Sequence, residues 1–309
     1  MKLTFNHFNS LIILAEHFSS EKRCRDFITE QRWGKKVICP FCGGTHIYIC
    51  GNGDNQFKCS SCYRRFSCLV GTIFQKTKLP LKKWFMAMYM MASHKKGISS
   101  HQLARDLSVT QKTAWFMLQK LRILFEQDYV PMLEGEIEID ELYYGGRESN
   151  KHHMKRLQQR EVSKPPVFGM IQRWGNARAI LVKDTEPSTL LPLIRRYCSE
   201  HAVLFTDELN TYKILRKDGF KHCIIRHSMK EFYRNGVTTN KIEGFWGNFK
   251  RMVFGTYHVV SKTYLQRYID EAVFRYNTRG KSNSDIFKFL LCRLSGTISY
   301  QDVLISEGR

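Results

Sequence analysis

The chain has 309 residues, 49 of them Lys or Arg and 28 Asp or Glu, for a formal net charge of +21. With 43% hydrophobic and 13% aromatic residues it can build real cores, which excludes global disorder, and its length fits roughly two domains. The charge is spread, 20 basic against 8 acidic residues in 1–130 and 29 against 20 in 131–309, which predicts a polyanion touching both halves, nucleic acid before membrane.

Residues 1–36 read as an N-terminal helical segment. The apolar residues 11–15 lack the basic flank and cleavage site of a signal peptide. No apolar run reaches the roughly 18 residues of a membrane span. Ten cysteines without a secretion signal predict a reducing compartment, the cytoplasm, with some thiols on a metal.

Residues 37–72 are rich in Cys and Gly. Cys39-Pro-Phe-Cys42 and Cys59-Ser-Ser-Cys62, sixteen residues apart, offer four thiolates at a spacing that suits tetrahedral zinc. All four positions would be filled, so the predicted zinc is structural and supplies folding energy to a ribbon with little core. Ordinary buried cysteines are the plainer alternative, and His46 or Cys50 could replace a ligand. Arg64 and Arg65, directly after the second pair, are candidate DNA contacts.

Residues 78–127 predict a helix-turn-helix unit. Ser99 or Ser100 can cap a helix carrying Leu103, Ala104 and Leu107. Residues 108–110 form the turn, and Thr110 caps a second helix whose apolar face is Ala114, Met117, Leu118 and Leu121. Lys112, Thr113 and Trp115 near its start, with Lys120 further on, are the expected DNA-facing residues. A helical linker with an ordinary core is the alternative. The charge balance of residues 1–130 favours DNA.

Residues 134–280 alternate strand and helix signals and carry the acids. Glu136-Ile-Glu-Ile-Asp140-Glu reads as a strand ending in acid, and like charges crowded there need solvent or a cation. Residues 201–207 form an apolar run ending in Asp207, the strand end where sites of α/β folds gather. Ile242, Phe245, Trp246, Phe249 and Val253 give the stripe of an amphipathic helix bordered by Glu243, with Lys250 on the same side. Two aspartates on strand ends and a helix glutamate can hold two divalent metals, Mg²⁺ or Mn²⁺, for phosphodiester chemistry. Each acid also has a local reading: an edge guard at Asp140, a cap at Asp207, and a capping box of Glu243 with Asn240. Residues 145–166 read as a long polar loop, and 281–309 as a C-terminal helical tail. The fold class expected is multidomain α+β.

In combination, several motifs resemble the DDE-type bacterial insertion-sequence transposases of family fifteen-ninety-five, with an ISXO-type catalytic domain. They are Cys39-Pro-Phe-Cys42-Gly-Gly, Ile139-Asp140-Glu-Leu-Tyr, Pro166-Val-Phe-Gly169, Thr206-Asp207, Thr239-Asn-Lys-Ile-Glu243-Gly-Phe-Trp, Lys250-Arg251 with Gly255-Thr-Tyr-His258, and Arg275-Tyr-Asn277. The resemblance implies an RNase H-like mixed α/β catalytic domain that cuts and joins strands at the ends of a mobile DNA element. It implies Asp140, Asp207 and Glu243 as the metal-binding triad and Lys250 on substrate DNA. Asn240 shares the third position with Glu243. Arg251 joins the DNA-facing set, and His258 either orients a phosphate or water or is structural. Double-stranded DNA, as element ends and target, is the implied partner, with a homo-oligomer assembled on it. The competing readings are a zinc-ribbon and helix-turn-helix regulator, a domesticated inactive transposase and a stand-alone nuclease.

Overall fold

The computed structural model describes residues 8–51, 55–145, 164–229, 231, 233–234 and 236–294. Most of the polar stretch expected as a loop over 145–166 lies outside them. The chain forms two compact units, divided after Phe125 and again before Gly280.

In the first unit, Ser10 caps helix α1 (Leu11–His17) and Ser20 caps α2 (Glu21–Trp33), each side chain accepting a backbone N–H three residues on. Three short antiparallel strands follow in the order β1 (Ile47–Cys50), β2 (Gln56–Cys59) and β3 (Arg65–Ser67). Arg32 of α2 reaches the carbonyls of Cys68 and Val70 at 2.6 and 2.7 Å, which fixes the end of this ribbon to the helix. Helix α3 (Leu81–Ser93) is buried along most of its length. It precedes α4 (Ser100–Leu107) and α5 (Gln111–Arg122), capped by Ser99 and Thr110. Ser108 makes the turn between them in the left-handed region, at φ +49°.

The second unit is a mixed α/β layer structure. Its sheet runs β6-β5-β4-β7-β8, from β4 (Glu136–Tyr143), β5 (Pro166–Gln172), β6 (Ala177–Leu181), β7 (Val203–Thr206) and β8 (Lys221–Ile224). The first three strands pair antiparallel, while β7 lies parallel to both β4 and β8. Helices α7 (Asn240–Met252) and α8 (Leu265–Asn277) bury Ile242, Trp246, Phe249 and Ile269 against one face. Helix α6 (Pro187–Tyr197) buries Leu190 and Ile194 against the other, over Ile137, Ile139 and Met170.

The outer edge of β6 is covered by amides. Asn277 accepts from Ala177 N at 2.7 Å and donates to its carbonyl at 3.0 Å. Gln127 makes the same pair with Ala179, at 3.0 and 2.6 Å, and Gln266 accepts from Leu181 N at 2.7 Å. These bonds occupy backbone groups that an edge strand would otherwise offer to a foreign strand.

The described part of the segment expected as a tail joins a core. Helix α9 (Asn283–Cys292) belongs to the first unit, where Phe287 meets Phe8 and Phe85 at ring distances of 5.8 and 6.4 Å. Among the described residues, no helix is long and apolar enough to cross a membrane.

Candidate functional site

The four cysteines of the two pairs converge. Cys39 and Cys62 bring their Sγ atoms to 3.7 Å and Cys42 and Cys59 to 3.6 Å, and all four lie within 4.8 Å of one another. Sulfurs on a tetrahedral zinc at about 2.3 Å would stand about 3.8 Å apart, so the donors fit. Backbone N–H groups, first that of Cys62, draw the Cys59 thiol down to about 6. The thiols crowd Gly44, where a Cβ would lie 3.1 Å from Cys59 Sγ and 3.3 Å from Cys42 Sγ.

The second cluster is acidic. β4 and β7 run parallel, with Glu138 opposite Phe205. The pairing stops there and β7 ends at Thr206, so Asp207 lies just beyond the strand, close enough for its charge to act on Asp140. Burial raises the Asp140 carboxyl to about 6, and the charges of Asp207 and Glu243 push it the same way. The next residue, Glu141, is pushed up to about 9 by burial and by Asp140 and Asp207, and its Oε1 is buried without a hydrogen-bond partner. Asp207 accepts from Leu209 N at 3.0 Å, closing a local turn. Among the described residues, no Lys or Arg forms an ion pair with Asp140, Glu141 or Asp207. Hard oxygen donors with unmet charge fit a divalent cation. The acids do not, however, close to the mutual distance that the four cysteines reach.

Helix α7 carries Glu243, and its seat on the sheet has identifiable causes. Gly169, paired with Asp140 across β4 and β5, leaves room for Trp246; a Cβ there would lie 2.4 Å from Trp246 Cζ2. The indole lies close enough to Asp140 to ease its charge slightly, yet its N–H makes no hydrogen bond of good geometry. The helix N-terminus is capped from the sheet. Buried Glu138 accepts from Lys241 N at 2.7 Å and Ile242 N at 3.2 Å. Arg173 completes the clamp, donating to Glu138 at 2.8 Å, Glu136 at 2.7 Å, Gly236 O at 2.8 Å and Thr238 O at 3.0 Å.

Glu243 itself is half exposed. It accepts from Thr239 Oγ1 at 2.8 Å, and His227 Nε2 stands 3.4 Å away. The capping partner weighed for it, Asn240, is instead exposed on the first turn of α7. Lys250 and Arg251 are exposed in the last turn of that helix, and His258 is exposed at φ +61° just after a π-helical turn.

Of the residues expected at DNA, Lys112, Arg64 and Arg65 are exposed, and Thr113 and Trp115 are half-buried. Lys120 requires correction. It is 4% exposed, its Nζ donates to Ile73 O at 2.9 Å, and burial lowers its pKa, so it serves the interior of the first unit and not a ligand. The sequence reading also passed over Glu138, Arg173 and His227. The only signal for Glu138 was an acid at an inward position of the strand, which alternation alone marks as needing a partner.

Two families match. The ISXO2-like transposase domain matches residues 132–277, and the transposase zinc-ribbon domain matches residues 19–65. An uncharacterized protein in transposable element ISH50 from Halobacterium salinarum is 27% identical over 288 residues, 89% of this chain and 97% of the relative. An uncharacterized transposase-like protein from Haemophilus influenzae is 30% identical over 113 residues, 36% of this chain and 90% of the relative.

Proposed function

The chain belongs to the ISXO2-like transposase family, and from that premise we propose that it cuts and joins DNA strands at the ends of an insertion sequence. The observation that carries this is the pair Asp140, within β4, and Asp207, just past the end of β7, neither with an ion-pair partner among the described residues, with the Glu243 helix clamped beside them. The sheet order, three antiparallel strands followed by two parallel ones, supports an RNase H-like catalytic unit. The reaction is hydrolysis of a phosphodiester at the element end, which frees a 3′-hydroxyl, then attack of that hydroxyl on a target strand with release of the target's own 3′-oxygen.

Asp140 and Asp207, with Glu243 turning in from α7, would hold Mg²⁺ or Mn²⁺. When bound, such ions activate the attacking oxygen and stabilise the leaving one. The protein orients the carboxylates. Glu138 and Arg173 fix the height of α7 on the sheet, Gly169 and Trp246 fix its closeness, and Thr239 holds the Glu243 carboxylate. Asn240 stands one turn back as the alternative third residue. Lys250 and Arg251 face the DNA from the last turn of α7, and His258 orients a phosphate.

In the first unit, α4 and α5 act as a helix-turn-helix. Lys112, Thr113 and Trp115 meet the duplex there, and Arg64 and Arg65 beside the zinc cluster add phosphate contacts. Two copies pairing two element ends, in the cytoplasm, complete the reading. The test is cleavage of linear DNA carrying the segments that flank this reading frame, with Mg²⁺ present. Wild type nicks at the ends, while Asp140→Asn and Asp207→Asn bind the same DNA without cutting. Full cleavage by either variant overturns the assignment.

A further inference from the structure

Trp174 is an aromatic that the fold does not use. It sits in the β5–β6 hairpin, 86% exposed, with φ at +64°. A bulky residue in the left-handed region is strained, and burial here returns nothing for it. The hairpin holds it rigidly. Gly175 N donates to Gln172 O at 3.0 Å and Gln172 N to Asn176 O at 2.9 Å, while the neighbouring Arg173 is pinned by its clamp on Glu138 and Thr238.

One cation stands over the ring and another binds the backbone of the next residue. Lys241 Nζ stands 4.4 Å over it. Arg279 reaches Gly175 O at 3.4 Å and lies 4.2 Å over the Tyr276 ring. An exposed ring with one cation over it and a second on the adjacent backbone fits a nucleobase with its flanking phosphates, since every base has a face to stack and a phosphate to neutralise.

We infer that Trp174, with Lys241 and Arg279, forms a stacking site for an unpaired base of the DNA being processed. The inference rests on the DNA-cutting reading above, because strand breakage is what supplies unstacked bases. Arg173 ties this hairpin to residues 236–238 and, through Glu138, to the first turn of α7. A base held here is therefore fixed relative to the helix that carries Glu243.

The experiment is fluorescence anisotropy in EDTA with two labelled probes: a blunt duplex, and the same duplex with a single-stranded tail. Trp174→Ala should bind the tailed probe roughly 5- to 150-fold more weakly and the blunt one almost unchanged. Trp174→Phe should keep most of the affinity. Trp174→Gly should lose it while raising Tm, because glycine relieves the positive φ; a merely structural Trp would not move stability and affinity in opposite directions. Unchanged binding of the tailed probe by Trp174→Ala overturns the inference, as does an equal loss on both probes. Cleavage by wild type in the presence of Mg²⁺ separates the two failures. If wild type cuts and Trp174→Ala still binds normally, only the stacking site is wrong; if wild type binds neither probe, the DNA-cutting reading falls and takes this one with it.

Discussion

Replacing Asp140 by Asn should make the metal-free protein more stable while ending cleavage. Burial, with the charges of Asp207 and Glu243, lifts this carboxyl from 3.8 to about 6. A shift of this size is worth on the order of 3 kcal/mol against the ionised form in the folded chain. Between the two values the folded protein holds a proton that the unfolded chain has released. Stability therefore falls as pH rises from about 4 to about 6, and stays reduced above that. Asn keeps the shape and never ionises, so at neutral pH Asp140→Asn should recover about 1–3 kcal/mol, a gain of several degrees in Tm. Near pH 4, where the wild-type carboxyl is itself neutral in the fold, the gain should vanish. A cation that binds only the folded state adds its own stabilisation by mass action. Mg²⁺ should thus raise the Tm of wild type at neutral pH and barely move the variant. Thermal unfolding followed by circular dichroism, at two pH values with EDTA or Mg²⁺, reads all of this. A variant less stable than wild type in EDTA at neutral pH, or one stabilised by Mg²⁺ as strongly as wild type, would refute the reasoning.

The other structural claims have their own checks. Elemental analysis should find zinc bound to wild type and missing from Cys59→Ser, with the ribbon amides of the variant losing hydrogen-exchange protection; zinc retained by the variant would count against the four-thiol set. Gly169→Ala pushes a Cβ to 2.4 Å from Trp246 and should cost about 1–3 kcal/mol in Tm measurements while cutting cleavage more than DNA binding. Unaltered activity would show that the closeness of α7 to the sheet does not matter. Lys112→Ala should lower the slope of log affinity against log salt by about one, whereas Lys120→Met should leave it untouched; a slope change at Lys120 would place that side chain on the DNA after all.

What the sequence made legible is what local chemistry decides. Ser99 and Thr110 cap their helices because a cap needs only a side chain and an N–H three residues away. The four cysteines announce themselves because each pair folds its own turn before meeting the other. Asp207 was readable as a strand end because an apolar run stops there, whereas the strand carrying Asp140 runs on to Tyr143, paired with β5. Illegible were the features settled by distant partners. Lys120 looked like a surface cation of a recognition helix, yet its destination is a carbonyl 47 residues earlier. Glu138 looked like one acid of a crowded strand, yet it caps a helix 103 residues later. The segment after residue 280 looked like a tail because nothing in its own pattern reveals that Phe8 and Phe85 wait for Phe287.

Glu138 and Asp140 stand two residues apart on the same face of β4, and the chain treats them oppositely. Glu138 is wholly buried, yet it meets a guanidinium and two backbone N–H groups. Asp140 faces Asp207 and Glu243, and burial with their charge holds its carboxyl near 6. Burial alone cannot explain the difference, since the deeper of the two is the one that is satisfied. Scarcity of cations cannot either, in a chain with 49 Lys and Arg. A fold that compensates one carboxylate so fully has the means to compensate its neighbour. Leaving Asp140 and Asp207 face to face costs stability that a single Lys would recover, and such a cost persists where the strain belongs to function. On the proposed reading the missing positive charge comes from outside the chain, and oxygen donors of this kind suit a hard divalent cation.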